Sequence, residues 1–178
     1  IPYLRERDYK SKLGELEKVS ENQHYTSYVT SYDSDGLKIN GLLTIPNPSA
    51  PSGREEDSGQ GTSDVPSQND GKKYPAIVFV HGYIPPISYK PTVNYASYVD
   101  YLARNGFVVF KIDLRGHADS EGEPGGAYYS SDYVIDTLNA RAALVSSDLV
   151  NPDKIGLWGH SMAGNVVFRS FAAKPDIP

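Results

Sequence analysis

Cysteine does not occur among the 178 residues. That absence excludes disulfides, thiolate metal sites and a cysteine nucleophile. A basic stripe is also missing. Lys and Arg number 17 against 22 Asp and Glu, for a formal net charge of -5. Neither a nucleic acid nor an anionic membrane surface is the expected partner of such a chain. Long apolar runs are lacking too: Ile77-Val78-Phe79-Val80 is typical, and a membrane span needs about 18 such residues. No metal cluster, phosphate loop or cofactor motif is visible, so no metal and no cofactor is expected. The sequence opens on Ile1 with no signal peptide in view, and a missing cysteine does not fix a compartment.

What is present has the composition of one globular domain, 39% hydrophobic and 22% charged, in a chain long enough for a real core. Residues 1–24 are charged and weakly periodic, and read as an arm with one short helical turn. Residues 25–33 alternate with period two through Tyr25, Ser27, Val29 and Ser31. Asp35-Gly36 is a turn signal, and strand character resumes at Leu37-Lys38-Ile39 and continues to Ile45. The pair predicts an antiparallel hairpin. Between Pro46 and Lys73 the only aliphatic residue larger than alanine is Val65. Such a stretch cannot bury enough apolar surface to offset its ordering entropy. It predicts a mobile surface loop at about 47–72, inside a single domain running from 25 to 178.

From Ala76 onward strands and helices alternate. Ala76–Val80, Phe107–Ile112 and Ile155–Trp158 are apolar on both faces, as strands covered on each side must be. Helices are predicted over Thr92–Asn105, with Tyr95, Tyr98, Val99 and Leu102 on one face, and over Ser131–Ser147, with Val134, Ile135, Leu138, Ala142 and Val145. A last helix spans Met162–Ala173 and stops before Pro175. The fold class is α/β: an antiparallel hairpin followed by a βαβαβα parallel sheet.

Three segments carry chemistry, and each follows one of the parallel strands. Gly159-His160-Ser161-Met162-Ala163-Gly164 lies between a buried strand and a helix, the context of a nucleophile elbow. A serine on so sharp a turn needs small residues two before and two after it, here Gly159 and Ala163. Gly164 is expected to let the helix pack closely. The turn sets Ser161 at a helix N-terminus, where the dipole favours a developing oxyanion. His81-Gly82-Tyr83 ends the strand Ala76–Val80. The expected oxyanion donors are the backbone N–H groups of Met162 and Tyr83, with Gly82 letting the loop turn in close and His81 shaping it. The third segment, Asp113-Leu114-Arg115-Gly116-His117-Ala118-Asp119-Ser120, follows Phe107–Ile112.

This last string resembles the Asp-x-Arg-Gly-x-Gly-x-Ser signature of α/β-hydrolases, with Ala118 where the signature has glycine and Ala163 standing for glycine in the elbow. With His81-Gly82 and the elbow in the same order, the stretch from about Tyr25 to Pro178 resembles prolyl-oligopeptidase-type (dipeptidyl aminopeptidase-like) serine hydrolases and the related feruloyl and other carboxyl esterases. Asp35–Leu43 resembles their first hairpin. The resemblance implies an α/β-hydrolase fold seen in its N-terminal portion, with later strands absent. It implies a serine hydrolase that cleaves a carboxylic ester or peptide bond through an acyl-serine, and it makes the Asp-Arg-Gly loop structural, with Arg115 tying it down. In this fold the triad runs Ser, then Asp or Glu, then His. All four histidines (His24, His81, His117 and His160) precede Ser161. The triad Asp and His are therefore expected beyond residue 178, and this chain alone is expected to be inactive. A second chain or a swapped copy that supplies them would pair with the apolar edge Ile155–Trp158. The competing reading is a catalytically inactive binding or structural module on the same scaffold. Choice between a small ester and a peptide substrate stays open, as does a role of Tyr83, Tyr89, Tyr128 and Tyr129 in lining an aromatic acyl pocket. The Ser/Gly/Pro/Asp-rich loop is compatible with an exported protein.

The composition of the 47–72 loop makes a direct prediction. Loop-closure entropy changes slowly with length. Replacing residues 49–70 by a short Gly/Ser linker should shift unfolding free energy by no more than about 1 kcal/mol in urea denaturation. A larger loss would mean that the segment packs on the domain.

Overall fold

A computed structural model describes residues 2–48, 73–125 and 127–177 of the chain. The order of elements is α1 (Pro2–Glu6), β1 (Glu17–Glu21), β2 (Tyr25–Ser34), β3 (Leu37–Pro46), β4 (Tyr74–Val80), a 3-10 turn at Pro86–Ser88, α2 (Ala96–Arg104), β5 (Val108–Ile112), α3 (Asp132–Val145), β6 (Val150–Gly159) and α4 (Met162–Ala173). Residues 49–72 lie outside the described residues, so the expected loop is described only at its ends, Asn47 and Pro48.

The hairpin forms as the alternation predicts. β2 and β3 pair without a break from Tyr25↔Pro46 to Ser34↔Leu37. Asp35 and Gly36 close it with φ of 59° and 77°, the left-handed pair that a tight two-residue hairpin requires. β3 then pairs antiparallel with β5, which pairs parallel with β4, which pairs parallel with β6. The resulting order is β1-β2-β3-β5-β4-β6, a mixed six-stranded sheet. β4 lies between β5 and β6, so the chain steps from it to β5 on one side and returns to β6 on the other.

That reversal puts helices on both faces. Val78, Val80, Phe110, Ile112 and Ile155 point into a large core beneath α3 and α4. Phe79 and Val109 point the other way, against Val99 of α2, with Ile77, Leu102 and Trp158 packed around them. Phe79 and Trp158 stack at 3.9 Å between ring centroids. Residues two apart on one strand thus serve one core, and their neighbours the other, which is why these strands read as continuous apolar runs.

Three expectations differ from the structure. Residues 1–24 are not a free arm: Glu17–Glu21 adds to the sheet as β1, Leu4 is buried, and Arg5 Nε donates to the Ala172 carbonyl at 3.0 Å. Every side chain of β1 is exposed, so its pairing is a backbone affair that leaves no apolar alternation to read. On α3 the stripe is wider than predicted and turned. Tyr133 to Ala140 are all buried, while Val145 is exposed. The polar residues in that run, Asp136, Thr137 and Asn139, are buried because each finds a hydrogen-bond partner. On α2, Tyr98 is exposed and Tyr95 lies just before the helix, in a left-handed conformation (φ 62°). β6 has a neighbour only on its β4 side among the described residues, and Leu157 and Trp158 are half-buried there. Among the described residues no helix is long and apolar enough to cross a membrane.

The Asp113–Ser120 stretch after β5 carries three left-handed residues, Leu114 (φ 55°), Gly116 (φ 74°) and Ala118 (φ 48°). Only glycine takes that region without strain. Ala118→Gly should therefore stabilise the fold by about 0.5–1 kcal/mol, the relief of strain exceeding the added freedom of the unfolded chain. Thermal unfolding checks it. A lower Tm would show that the alanine methyl is needed for packing.

Candidate active site

The loops after β4 and β6 come together at the carboxyl end of the sheet, on the two strands flanking the point where strand order reverses. Open α/β sheets bind ligands at this place. Chain geometry makes the turn after β6 tight. A β-carbon at Gly159 would lie 2.6 Å from the Ala163 carbonyl oxygen and 2.7 Å from Val167 Cγ2. No side chain fits there. Ala163 is fully buried, and its methyl is accommodated. Ser161 sits at the apex with φ 56° and ψ -119°, a region that costs a non-glycine residue about 1–3 kcal/mol.

Ser161 occupies the N-cap of α4, a position where a serine hydroxyl ordinarily bonds the helix N–H groups. Here it makes no cap bond, and the side chain is exposed. The first turn is held by backbone instead: Ala163 N–H donates to the His160 carbonyl at 3.1 Å and Gly164 N–H to the Ser161 carbonyl at 2.9 Å. Gly164 does not do what the sequence suggested. A β-carbon there would meet nothing within 4 Å, because position 164 faces outward on α4. The close approach belongs to Gly159 alone.

His81-Gly82-Tyr83 reaches this turn from β4. A β-carbon on Gly82 would lie 2.5 Å from the Tyr95 hydroxyl, 3.0 Å from the His160 carbonyl oxygen and 3.3 Å from His160 Nδ1. The two loops are thus in contact through a glycine that must be a glycine. Gly82 N–H donates to the Tyr95 hydroxyl at 3.0 Å, and that hydroxyl is 3.0 Å from His160 Nδ1. The Tyr83 and Met162 N–H groups have no hydrogen-bond partner among the described residues. His160 is exposed, and its Nδ1 lies 3.0 Å from the Tyr95 hydroxyl.

Beneath the loop lies a buried polar cluster. His81 is fully buried, with Nδ1 2.7 Å from the Gly82 carbonyl and Nε2 3.3 Å from the Asp113 carbonyl. Its ring stacks on Tyr89 at 4.3 Å and meets His117 edge-on at 4.9 Å. The Tyr89 hydroxyl donates to Asp113 Oδ1 at 2.9 Å, so Tyr89 belongs to this cluster and not to a pocket wall, whereas Tyr83, Tyr128 and Tyr129 are exposed. Burial pushes the Asp113 carboxyl up to about 7, against the pull of the Tyr89 hydroxyl and Lys111. Burial pushes His81 down to about 4 and lowers His117. His117 Nδ1 lies 3.2 Å from the Arg115 carbonyl, which suits a loop residue. Arg115 does tie the loop down: its guanidinium grips Asp136 of α3 at 2.7 and 3.0 Å, and Asp136 also takes the Ser34 hydroxyl at 2.7 Å. Lys111 is fully buried and donates to the carbonyls of Pro91 and Asn94.

Tyr95 and Lys111 were not legible as site residues. Tyr95 reads as one more apolar position of α2, and Lys111 is a lone charge in an apolar strand. No described group of three or more His, Asp or Glu side chains is set to hold a metal.

The pH dependence of Asp113 can be signed. An acid raised in the fold contributes fully below its unfolded value of about 4, and that contribution is lost as pH rises through about 7. His81, a base lowered to about 4, runs the other way, with its contribution lost as pH falls from about 6.5 towards 4. The two slopes oppose each other in the shared window. Asp113→Asn keeps an acceptor for Tyr89 and removes the acid. The variant should gain stability relative to wild type as pH rises from about 4 to about 7, measured by urea unfolding at each end. A pH-independent difference would contradict the buried-acid account.

Comparison with known proteins agrees with the geometry. The sequence profile of the family described as "Serine aminopeptidase, S33" matches residues 71–177. Acyltransferase drtE of Aspergillus calidoustus is 27% identical over 104 residues, which cover 58% of this chain and 32% of the relative. The chain thus spans about a third of the length of that curated relative. Est1E of Butyrivibrio proteoclasticus, solved with ferulic acid bound, superposes with a TM-score of 0.56 at 22% identity, over 82% of this chain and 47% of that one. A ligand-bound form of the rice cell wall degrading esterase LipA of Xanthomonas oryzae superposes with a TM-score of 0.61 at 18% identity, over 92% and 46%.

Proposed function

The chain belongs to the serine aminopeptidase S33 family of α/β-hydrolases, and from that premise we propose that Ser161 is the nucleophile of an enzyme working through an acyl-serine. One observation carries the reading: a serine held at φ 56° on a strained turn, at a helix N-terminus, with its hydroxyl uncommitted. A module without catalysis would gain nothing from that strain. In the proposed reaction the Ser161 oxygen attacks an ester or amide carbonyl as its proton passes to a base. The carbonyl oxygen becomes an oxyanion, and the N–H groups of Tyr83 and Met162 are the donors we assign to it, supported by the lack of any other partner for either among the described residues. Collapse of this intermediate expels the leaving group and leaves an acyl-serine, which water then cleaves.

The base is proposed to come from outside the described residues, together with the carboxylate that orients it. His81 is buried with both ring nitrogens against carbonyls, His117 is buried in the Asp-Arg-Gly loop, His24 lies in the β1–β2 turn at the far side of the sheet, and His160 Nδ1 is engaged by Tyr95. We assign the free edge of β6 as the place where the segment that carries them pairs, whether from the same chain or another. The likeness to an acyltransferase favours a second version of the last step, in which a hydroxyl of an acceptor molecule replaces water on the acyl-serine. A small ester is the substrate class preferred here, supported by the esterase fold neighbours.

The test compares two proteins on p-nitrophenyl acetate and with a fluorophosphonate probe. In the full-length protein Ser161→Ala should lower kcat by about 10³-fold or more and abolish labelling. A polypeptide ending at Pro178 should turn over negligibly and label poorly. Activity that survives Ser161→Ala would remove the nucleophile assignment. Robust labelling of the short chain would mean that a base is already present in it.

A further inference from the structure

We propose that Tyr95 is a positioning residue that bolts the loop after β4 to the turn after β6, holding the two proposed oxyanion donors in register. The inference rests on the reading of Ser161 as nucleophile and goes beyond it to a residue on a third element. Its hydroxyl accepts from Gly82 N–H at 3.0 Å and lies 3.0 Å from His160 Nδ1, a bond whose donor follows the imidazole tautomer. One oxygen therefore joins the residue before Tyr83 to the residue before Ser161. The bond to Gly82 also occupies that N–H, and it fixes the peptide plane next to the one that presents the Tyr83 N–H.

The bolt itself is held rigidly. The Tyr95 ring packs edge-on against Phe79 at 5.6 Å and Trp158 at 6.0 Å. Its backbone is left-handed, φ 62°, a conformation that glycine or asparagine would take more easily. The segment just before it is anchored by Lys111, a buried ammonium that donates to the carbonyls of Pro91 and Asn94. Gly82 has no slack to move in, since a β-carbon on it would already lie 2.5 Å from this hydroxyl and 3.0 Å from the His160 carbonyl. Oxyanion donors misplaced by about 1 Å lose on the order of 10²-fold in rate, so a bond that fixes both supporting loops acts on the chemical step and not on substrate affinity.

The experiment uses the full-length protein with p-nitrophenyl acetate. Tyr95→Phe keeps the ring and removes the bridge. The expected result is a fall in kcat of about 10-fold or more, with KM within about two-fold of wild type and Tm nearly unchanged. The rate of fluorophosphonate labelling should fall in proportion to kcat. Tyr98→Phe removes a neighbouring hydroxyl that has no hydrogen-bond partner among the described residues, and should leave all four readouts at wild type. Tyr95→Phe in a His160→Ala background should cost less than it does alone, because both changes break one bridge. If Tyr95→Phe does not fold, His160→Ala carries the test from the exposed end and should show the same fall in kcat at constant KM. An unchanged kcat in the folded variant overturns the proposal, as does a loss of Tm with kcat per folded molecule intact. Ser161→Ala separates the two levels. If it abolishes activity while Tyr95→Phe is neutral, the positioning role alone falls; if it leaves activity in place, the nucleophile assignment falls and takes this proposal with it.

Discussion

The contact on which this site depends is the meeting of Gly159 with the first turn of α4. The space left at that α-carbon is so small that a methyl group would strike the Ala163 carbonyl at 2.6 Å. Strand β6 can therefore pass into α4 with only two residues between them, His160 and, at the apex, Ser161 in a strained conformation. Strain of this kind survives only where the surroundings over-determine it. Here β6 is paired to β4 on one side, Ala163 and Val166 are buried in the larger core, and Met162 is nearly so. The helix cannot slide outward to relax the turn without emptying that core.

The place of β4 between β5 and β6 explains why the other parts arrive where they do. Its two faces belong to two cores, Val78 and Val80 to one and Phe79 to the other. Its two edges are occupied by β5 and β6 in parallel. Three loops thus leave the same end of the sheet: the His81 loop from β4, the Asp113 loop from β5, and the Ser161 turn from β6. Apolar burial holds part of them, through Leu114 in the Asp113 loop and Met162 and Ala163 just after Ser161. Polar bonds hold the rest. Arg115 grips Asp136, the His81 ring spans the Gly82 and Asp113 carbonyls, and Tyr95 bridges Gly82 to His160.

Those buried polar groups carry a cost that the fold accepts. Lys111 and His81 lie with no exposed surface, and Asp113 is nearly buried. Desolvation disfavours charge on each, raising the acid and lowering the bases. Satisfied hydrogen bonds compensate, and partly satisfied ones would not. The cluster beneath the β4 loop is therefore a buried, hydrogen-bonded floor in which burial disfavours charge on His81 and His117.

The amino-acid sequence by itself determined the element order from β2 onward, the hairpin turn and the place of the elbow. Each of these depends on neighbours in the chain: left-handed Asp35-Gly36, doubly apolar strands, a small residue two before a serine. The membership in the hydrolase family follows from the same local strings, and the matched residues 71–177 contain all three. Tertiary structure alone decided what depends on partners far away in the chain. β1 joins the sheet through backbone bonds that no side chain advertises. The buried run on α3 takes in Asp136 because Ser34 and Arg115, distant in sequence, reach it. Gly164, suspected of close packing, faces open space, and Tyr95, read as one position on a helix face, joins two loops. Periodicity reports which side of an element is apolar; it holds no record of which polar atoms the fold will bring within 3 Å of each other.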